Sequence, residues 1–66
     1  MDQETFNLSI RKFLKMVGVN SQREIEQAVQ KSAAKLGGIE AFPVKVTLEI
    51  PSLGVKVPFD GEIRLK

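Results

Sequence analysis

The chain is 66 residues long, carries ten Lys and Arg against eight Asp and Glu, and contains neither Cys nor His. A domain of this size buries only about 60% of the surface its unfolded chain exposes, and natural domains this small usually add a disulfide, a metal or a partner subunit. Lack of Cys rules out disulfides and thiolate metal sites, and lack of His removes the commonest remaining ligand, so association with a second chain is the expected stabiliser. The net charge of +2 is too small to imply a polyanionic partner by itself. No apolar run approaches the ~20 residues needed to cross a bilayer, and the opening MDQETFNLSIRKF lacks the apolar stretch of a secretory signal. The expected location is the cytoplasm.

From Asp2 to Val17 the apolar residues Phe6, Ile10, Phe13, Leu14 and Val17 recur at helical spacing, within a stripe about 100° wide. The spacing predicts a helix over about residues 3–17. Asp2 and Glu4 lie at its start and Arg11, Lys12 and Lys15 towards its end, which suits the helix dipole. Gly18 reads as a left-handed C-cap with Val19 folding back beyond it. Ser21-Gln22-Arg23-Glu24 has the form of a capping box and opens a second predicted helix over about residues 22–36. Its narrow face, Ile25, Ala28, Val29, Ser32, Ala33 and Leu36, is built largely of small residues, and Gly37-Gly38 ends it.

After Gly38 the period changes to two. Val44, Val46, Leu48 and Ile50 alternate with Lys45, Thr47 and Glu49, the pattern of a half-buried strand over 44–50. Pro51-Ser52-Leu53-Gly54 supplies a turn into a strand over 55–59. Setting Ile50 opposite Val55 places Leu48 against Val57, Val46 against Phe59 and Glu49 against Lys56. Asp60-Gly61 is a standard hairpin signal and predicts a further turn into a third strand over 62–66. A two-residue turn there sets Phe59 opposite Glu62, mixing apolar and polar side chains on one face. A three-residue loop with Gly61 as a bulge restores Val57 to Ile63 and Val55 to Leu65. It leaves Pro58, without an N–H, beside the turn and Lys56 facing Arg64. Both difficulties vanish if Glu62 to Lys66 pairs with a second chain, so strand exchange in a homodimer is the expectation.

Catalytic chemistry has little to work with. There is no His, Cys or Tyr to act as nucleophile or base. Ser9, Ser21, Ser32 and Ser52 fit helix surface, cap, helix face and turn. Glu24 and Glu26 point to different sides of a helix, and Glu49 and Glu62 fall on the solvent side of strands, where nothing raises a carboxyl pKa. Gly37-Gly38 matches no phosphate-binding loop. The expectation is a protein that is not an enzyme, with no catalytic, cofactor or metal residues. The stretch FLKMVGVNSQREIEQAV has the turn of a helix-turn-helix, but Glu24 stands six positions after Gly18 where a branched apolar residue is typical, and Leu14 replaces the usual small residue. An αα-hairpin fits better than a DNA-reading motif. Leu8 lies off the main stripe among Arg11, Lys12 and Lys15, and these four residues are a candidate partner surface.

With TFNLSIRKFLK, VGVNSQREIEQAV and TLEIPSLGVKV followed by DGEI in place, the chain resembles a family of short uncharacterised bacterial proteins over nearly its whole length. The resemblance implies two helices followed by strands, in a homodimer that exchanges elements. It transfers no activity, ligand or site residue. The reading is one small α+β domain over residues 1–66, of order ααβββ, with a two- to three-stranded antiparallel sheet covered on one face by the helices. Its expected role is a non-enzymatic homodimeric interaction module, with Val55, Val57, Phe59, Ile63 and Leu65 contributing to the shared core. The alternatives are a nucleic-acid-binding accessory protein using Arg11, Lys12, Lys15 and Arg23, and a small regulatory subunit of a larger complex. Nucleic acid is disfavoured as a partner and no membrane contact is expected.

Overall fold

A computed structural model describes residues 1–66. The chain is α+β: one long helix, α1 (Gln3–Lys31), precedes a two-stranded antiparallel sheet of β1 (Ala41–Ile50) and β2 (Val55–Arg64), joined by a single 3₁₀ turn, Pro51–Leu53. Met1–Leu36 and Gly37–Lys66 form two compact units.

In the first unit, Asp2 caps the helix. Its carboxylate accepts from the backbone N–H of Glu4 at 3.0 Å and of Thr5 at 3.4 Å, and from the Thr5 hydroxyl at 2.8 Å. These bonds satisfy donors that have no partner inside the helix. They also hold the Asp2 carboxyl below its ordinary pKa of 3.8, the Thr5 hydroxyl being the largest cause.

The two predicted helices, 3–17 and 22–36, are one element. Gly18 does not take positive φ, so the left-handed residue that a Schellman cap requires is not formed, and the helix runs unbroken through Val19 and Asn20. A glycine inside a helix costs about 1 kcal/mol relative to alanine. Stopping there would forfeit several i→i−4 bonds, each worth about 1 kcal/mol net. It would also break an apolar stripe that stays in phase across the glycine: Phe6, Ile10, Leu14, Val17, Ser21, Ile25 and Ala28 follow one another at intervals of three or four. Ser21 is a half-buried member of that stripe rather than a cap. The helix ends earlier than expected, at Lys31, where the Ser32 N–H donates to the carbonyls of Ala28 and Val29. One further loose turn follows, with the Leu36 N–H bonded to Ser32 O at 3.0 Å, and Gly38 leaves it at φ +87.

In the second unit, the first hairpin register holds as expected: Ile50 pairs with Val55, Leu48 with Val57, Val46 with Phe59 and Glu49 with Lys56. Gly54 closes the turn in the left-handed conformation, φ +65, its N–H donating to Pro51 O at 3.2 Å. What differs is Asp60-Gly61. It is not a turn, and no third strand over 62–66 forms. β2 continues straight through it, and pairing proceeds without a bulge as Asp60↔Lys45, Gly61↔Val44, Glu62↔Pro43, Ile63↔Phe42 and Arg64↔Ala41. A final bond from the Leu65 N–H to Glu40 O, 2.7 Å, prolongs the ladder. The long hairpin avoids what either form of the turn would cost: apolar positions of β2 stay on one face, and Lys56 faces Glu49 with no Arg64 brought beside it, Arg64 pairing with Ala41. Glu62–Arg64 thus has its partner in β1 of the same chain, and the two difficulties that motivated strand exchange are gone.

No residue of either unit is buried. The sheet has two strands, and an isolated two-stranded hairpin is marginal at best in water.

Candidate functional site

Alternation along both strands sorts the hairpin into two unlike faces. Phe42, Val44, Val46, Leu48 and Ile50 of β1 share one face with Val55, Val57, Phe59, Gly61 and Ile63 of β2, since successive side chains of a strand point to opposite sides. Leu65 extends this row by one more residue in the same phase. The face carries no charged residue. At its centre stand the pair Val46 and Phe59, exposed by 46% and 57%, with Val57 beside them at 41%. Towards the ends Phe42, Val44, Leu48, Ile50, Val55 and Ile63 are half-buried. Gly61 faces Val44, whose Cγ1 would lie 3.7 Å from a Cβ added there.

The opposite face is polar and matched in charge. Lys45 opposes Asp60, and Glu49 opposes Lys56, with Nζ of Lys56 3.9 Å from the Glu49 carboxylate. Arg64 and Glu62, neighbours on β2, pair at 3.2 Å. All four residues of these two ion pairs have well-exposed side chains. Each pair is worth no more than about 1 kcal/mol; together they mark the face that stays in water.

The prolines sit so as to close the outer edges. Because the Leu65 N–H points inward to Glu40 O, residues of the same phase bond within the ladder and those of the other phase point outward. Pro58 on β2 and its counterpart Pro43 on β1 belong to the outward set. Neither costs a ladder bond, and each removes a donor from one outer edge, where an added strand would need it.

In the helical unit, Phe6, Ile10, Phe13 and Leu14 are 41–56% exposed along the first half of the stripe. Val17, Ser21, Ile25 and Val29 are half-buried further along it. At about 100° per residue, Leu8, Lys12, Lys15, Val19 and Arg23 line up on the other side, with Arg11 and Met16 flanking them. Leu8, Met16 and Val19 are each about half exposed, at 50, 51 and 50%. The continuous helix thus brings Arg23 into line with Leu8, Arg11, Lys12 and Lys15, and adds Met16 and Val19, which sequence reasoning had not joined to them.

Of the residues expected in a shared core, Val55, Val57, Phe59, Ile63 and Leu65 do share one phase of β2 and its extension. The β1 half of the face was not singled out as site residues, although its alternation was visible from Val44 onward. Phe42 lies outside the strand expected over 44–50, whereas β1 begins at Ala41. No three His, Cys, Asp or Glu residues come together in a way that would hold a metal ion, and no helix is long and apolar enough to cross a membrane.

A family profile described as a family of unknown function, DUF6494, matches residues 1–66, the whole chain. The chain belongs to the DUF6494 family. No curated protein and no solved structure matches it. The family therefore brings no activity or ligand, and the functional reading rests on the two faces themselves.

Proposed function

We propose that the chain is a non-enzymatic interaction module that works as a homodimer, its apolar surface covered by a second copy. The observation that carries this is the apolar face of the hairpin: it carries no charged residue, its sheet has only two strands, and none of its side chains is buried, whereas a two-stranded hairpin needs a further packed element to be stable in water. Fourteen large apolar residues are exposed, from Met1 to Leu65, far more than the scattered singles of an ordinary monomer surface. The composition supports a non-enzymatic role: with no His, Cys or Tyr, the chain lacks the usual nucleophiles and general bases of covalent catalysis.

Light scattering after size exclusion tests the proposal. The expected mass at micromolar concentration is twice 7.3 kDa; a single-chain mass at every concentration, with cooperative unfolding, overturns it.

A second reading is favoured by the alignment of Leu8, Arg11, Lys12, Lys15 and Arg23 along one side of a continuous helix: that side receives an acidic partner, protein or nucleic acid. On nucleic acid the contact would be electrostatic and indifferent to sequence, because α1 passes straight through the turn on which a helix-turn-helix depends. Sequence-dependent, submicromolar duplex binding at physiological salt would contradict that indifference.

A further inference from the structure

We propose that the side of α1 marked by Leu8, Lys12, Lys15 and Val19 docks an acidic amphipathic helix of another protein, which sets carboxylates against the two lysines and apolar side chains against Leu8 and Val19. This rests on the second reading above and names the class of its partner; it is independent of the homodimer.

Positive charge is concentrated on this helix. From Thr5 to Arg23 the chain has four bases, Arg11, Lys12, Lys15 and Arg23, and no acid; the other six bases and all eight acids lie outside that segment, so the net charge of +2 is the sum of +4 within it and −2 elsewhere. No acid stands three or four residues from Arg11, Lys12 or Lys15, the spacing at which helix side chains pair. The two ion pairs of the chain, Lys56 with Glu49 and Arg64 with Glu62, use none of the four bases. Neither face of the hairpin is a chemical complement for them. Its apolar face carries no charge, and would leave the bases as unpaired buried ions; the acids of its polar face are matched, Asp60 facing Lys45, Glu49 facing Lys56 and Glu62 paired with Arg64. The anions that answer these bases therefore belong to another molecule.

Spacing and apolar content point to a helix as that molecule. Leu8, Lys12, Lys15 and Val19 follow one another at intervals of four, three and four within the unbroken helix, which is the seam along which a second helix packs. Arg11 flanks the seam on one side, Met16 and Arg23 on the other. A phosphate backbone would engage the bases and leave Leu8, Met16 and Val19 with nothing to pack against, whereas an amphipathic helix engages both kinds of residue. A second copy of α1 does not fit the same seam. In parallel register Lys12 meets Lys12 and Lys15 meets Lys15; antiparallel about the middle of the seam, Leu8 meets Val19 but Lys12 meets Lys15. Either arrangement brings like charges together, so the partner is a different chain and an acidic one.

The probe is a synthetic helical peptide with Glu at the two positions that face Lys12 and Lys15 and Leu at the two that face Leu8 and Val19; its control carries Gln for each Leu and the same charge. The Leu peptide should bind the full chain at least tenfold more tightly than the control, with NMR amide shifts changing along Leu8, Lys12, Lys15 and Val19. Combining Leu8→Gln with Val19→Gln should abolish that preference. Combining Lys12→Glu with Lys15→Glu should transfer binding to a peptide carrying Lys in place of the two Glu, and circular dichroism checks that α1 stays helical in both variants. Equal binding of the Leu peptide and its control, or a preference that survives L8Q with V19Q, overturns the helix seam while leaving an acidic partner on this side of α1. A random-sequence DNA duplex that binds at least as tightly as the Leu peptide at physiological salt assigns the side to nucleic acid and overturns the proposal as well. If neither peptide nor duplex binds, the second reading falls and the seam falls with it.

Discussion

Lys45 lies directly across the hairpin from Asp60, so the residue that locally signals a turn is instead half of a cross-strand charge pair in the middle of a continuous strand. Opposite charges at facing positions contribute roughly 0.2–1 kcal/mol, and like charges cost a similar amount. Asp60→Lys should therefore lower stability by about 0.5–1 kcal/mol, and adding Lys45→Asp should recover most of the loss. Urea unfolding of the two single variants and the double variant measures the coupling. A turn at Asp60-Gly61 would leave the two positions uncoupled, and the double variant would show only the sum of its parts.

Two glycines, one inside α1 and one in the hairpin turn, should respond to alanine with opposite signs. Gly18 has no positive φ and nothing within 4 Å of a Cβ placed on it, so Gly18→Ala should stabilise the protein by about 1 kcal/mol. Gly54 is left-handed at φ +65, and Gly54→Ala should destabilise it by about 1–2 kcal/mol. Thermal unfolding followed by circular dichroism gives both signs. Destabilisation by G18A would mean that the chain caps a shorter helix there after all.

The Asp2 carboxylate is held below its ordinary pKa of 3.8 by the Thr5 hydroxyl and by the N–H groups of Thr5 and Glu4. A depressed folded pKa means that the cap's contribution is fully present above 3.8 and is lost as the pH falls through the lowered value. Helicity at the N-terminus should therefore fray below about pH 4. Asp2→Asn, which still accepts a bond but does not titrate, should remove that component of the acid dependence. Amide exchange at Glu4, Thr5 and Phe6 across this range reports the cap directly, and identical acid profiles for the two proteins would refute its assignment.

Much of the fold was legible in the sequence. Period-two alternation from Val44 to Ile50 and from Val55 to Phe59, with a Pro-Ser-Leu-Gly turn between them, specified the central register down to Glu49 against Lys56, because a slip of one residue would have moved every apolar side chain to the wrong face. The stripe from Phe6 to Val17 likewise specified the helix and the side it would need to cover. Gly18 and Asp60-Gly61 could not be resolved from local pattern. Each is a genuine stop signal whose effect depends on what competes with it, and the competing energy came from elsewhere. For Gly18 it was the in-phase continuation of the stripe through Ser21 and Ile25 together with the hydrogen bonds of an unbroken helix. For Asp60-Gly61 it was the facing segment Ala41–Lys45, of which only Val44 and Lys45 fell within the expected strand, and which offers backbone partners, a matching charge at Lys45 and an apolar neighbour for Ile63 in Phe42. Propensity weighs about 1 kcal/mol at such a position, whereas the ladder and the helix each return several bonds for continuing, so the hydrogen bonds of the unbroken helix and the cross-strand partners of the hairpin decided where the elements ended.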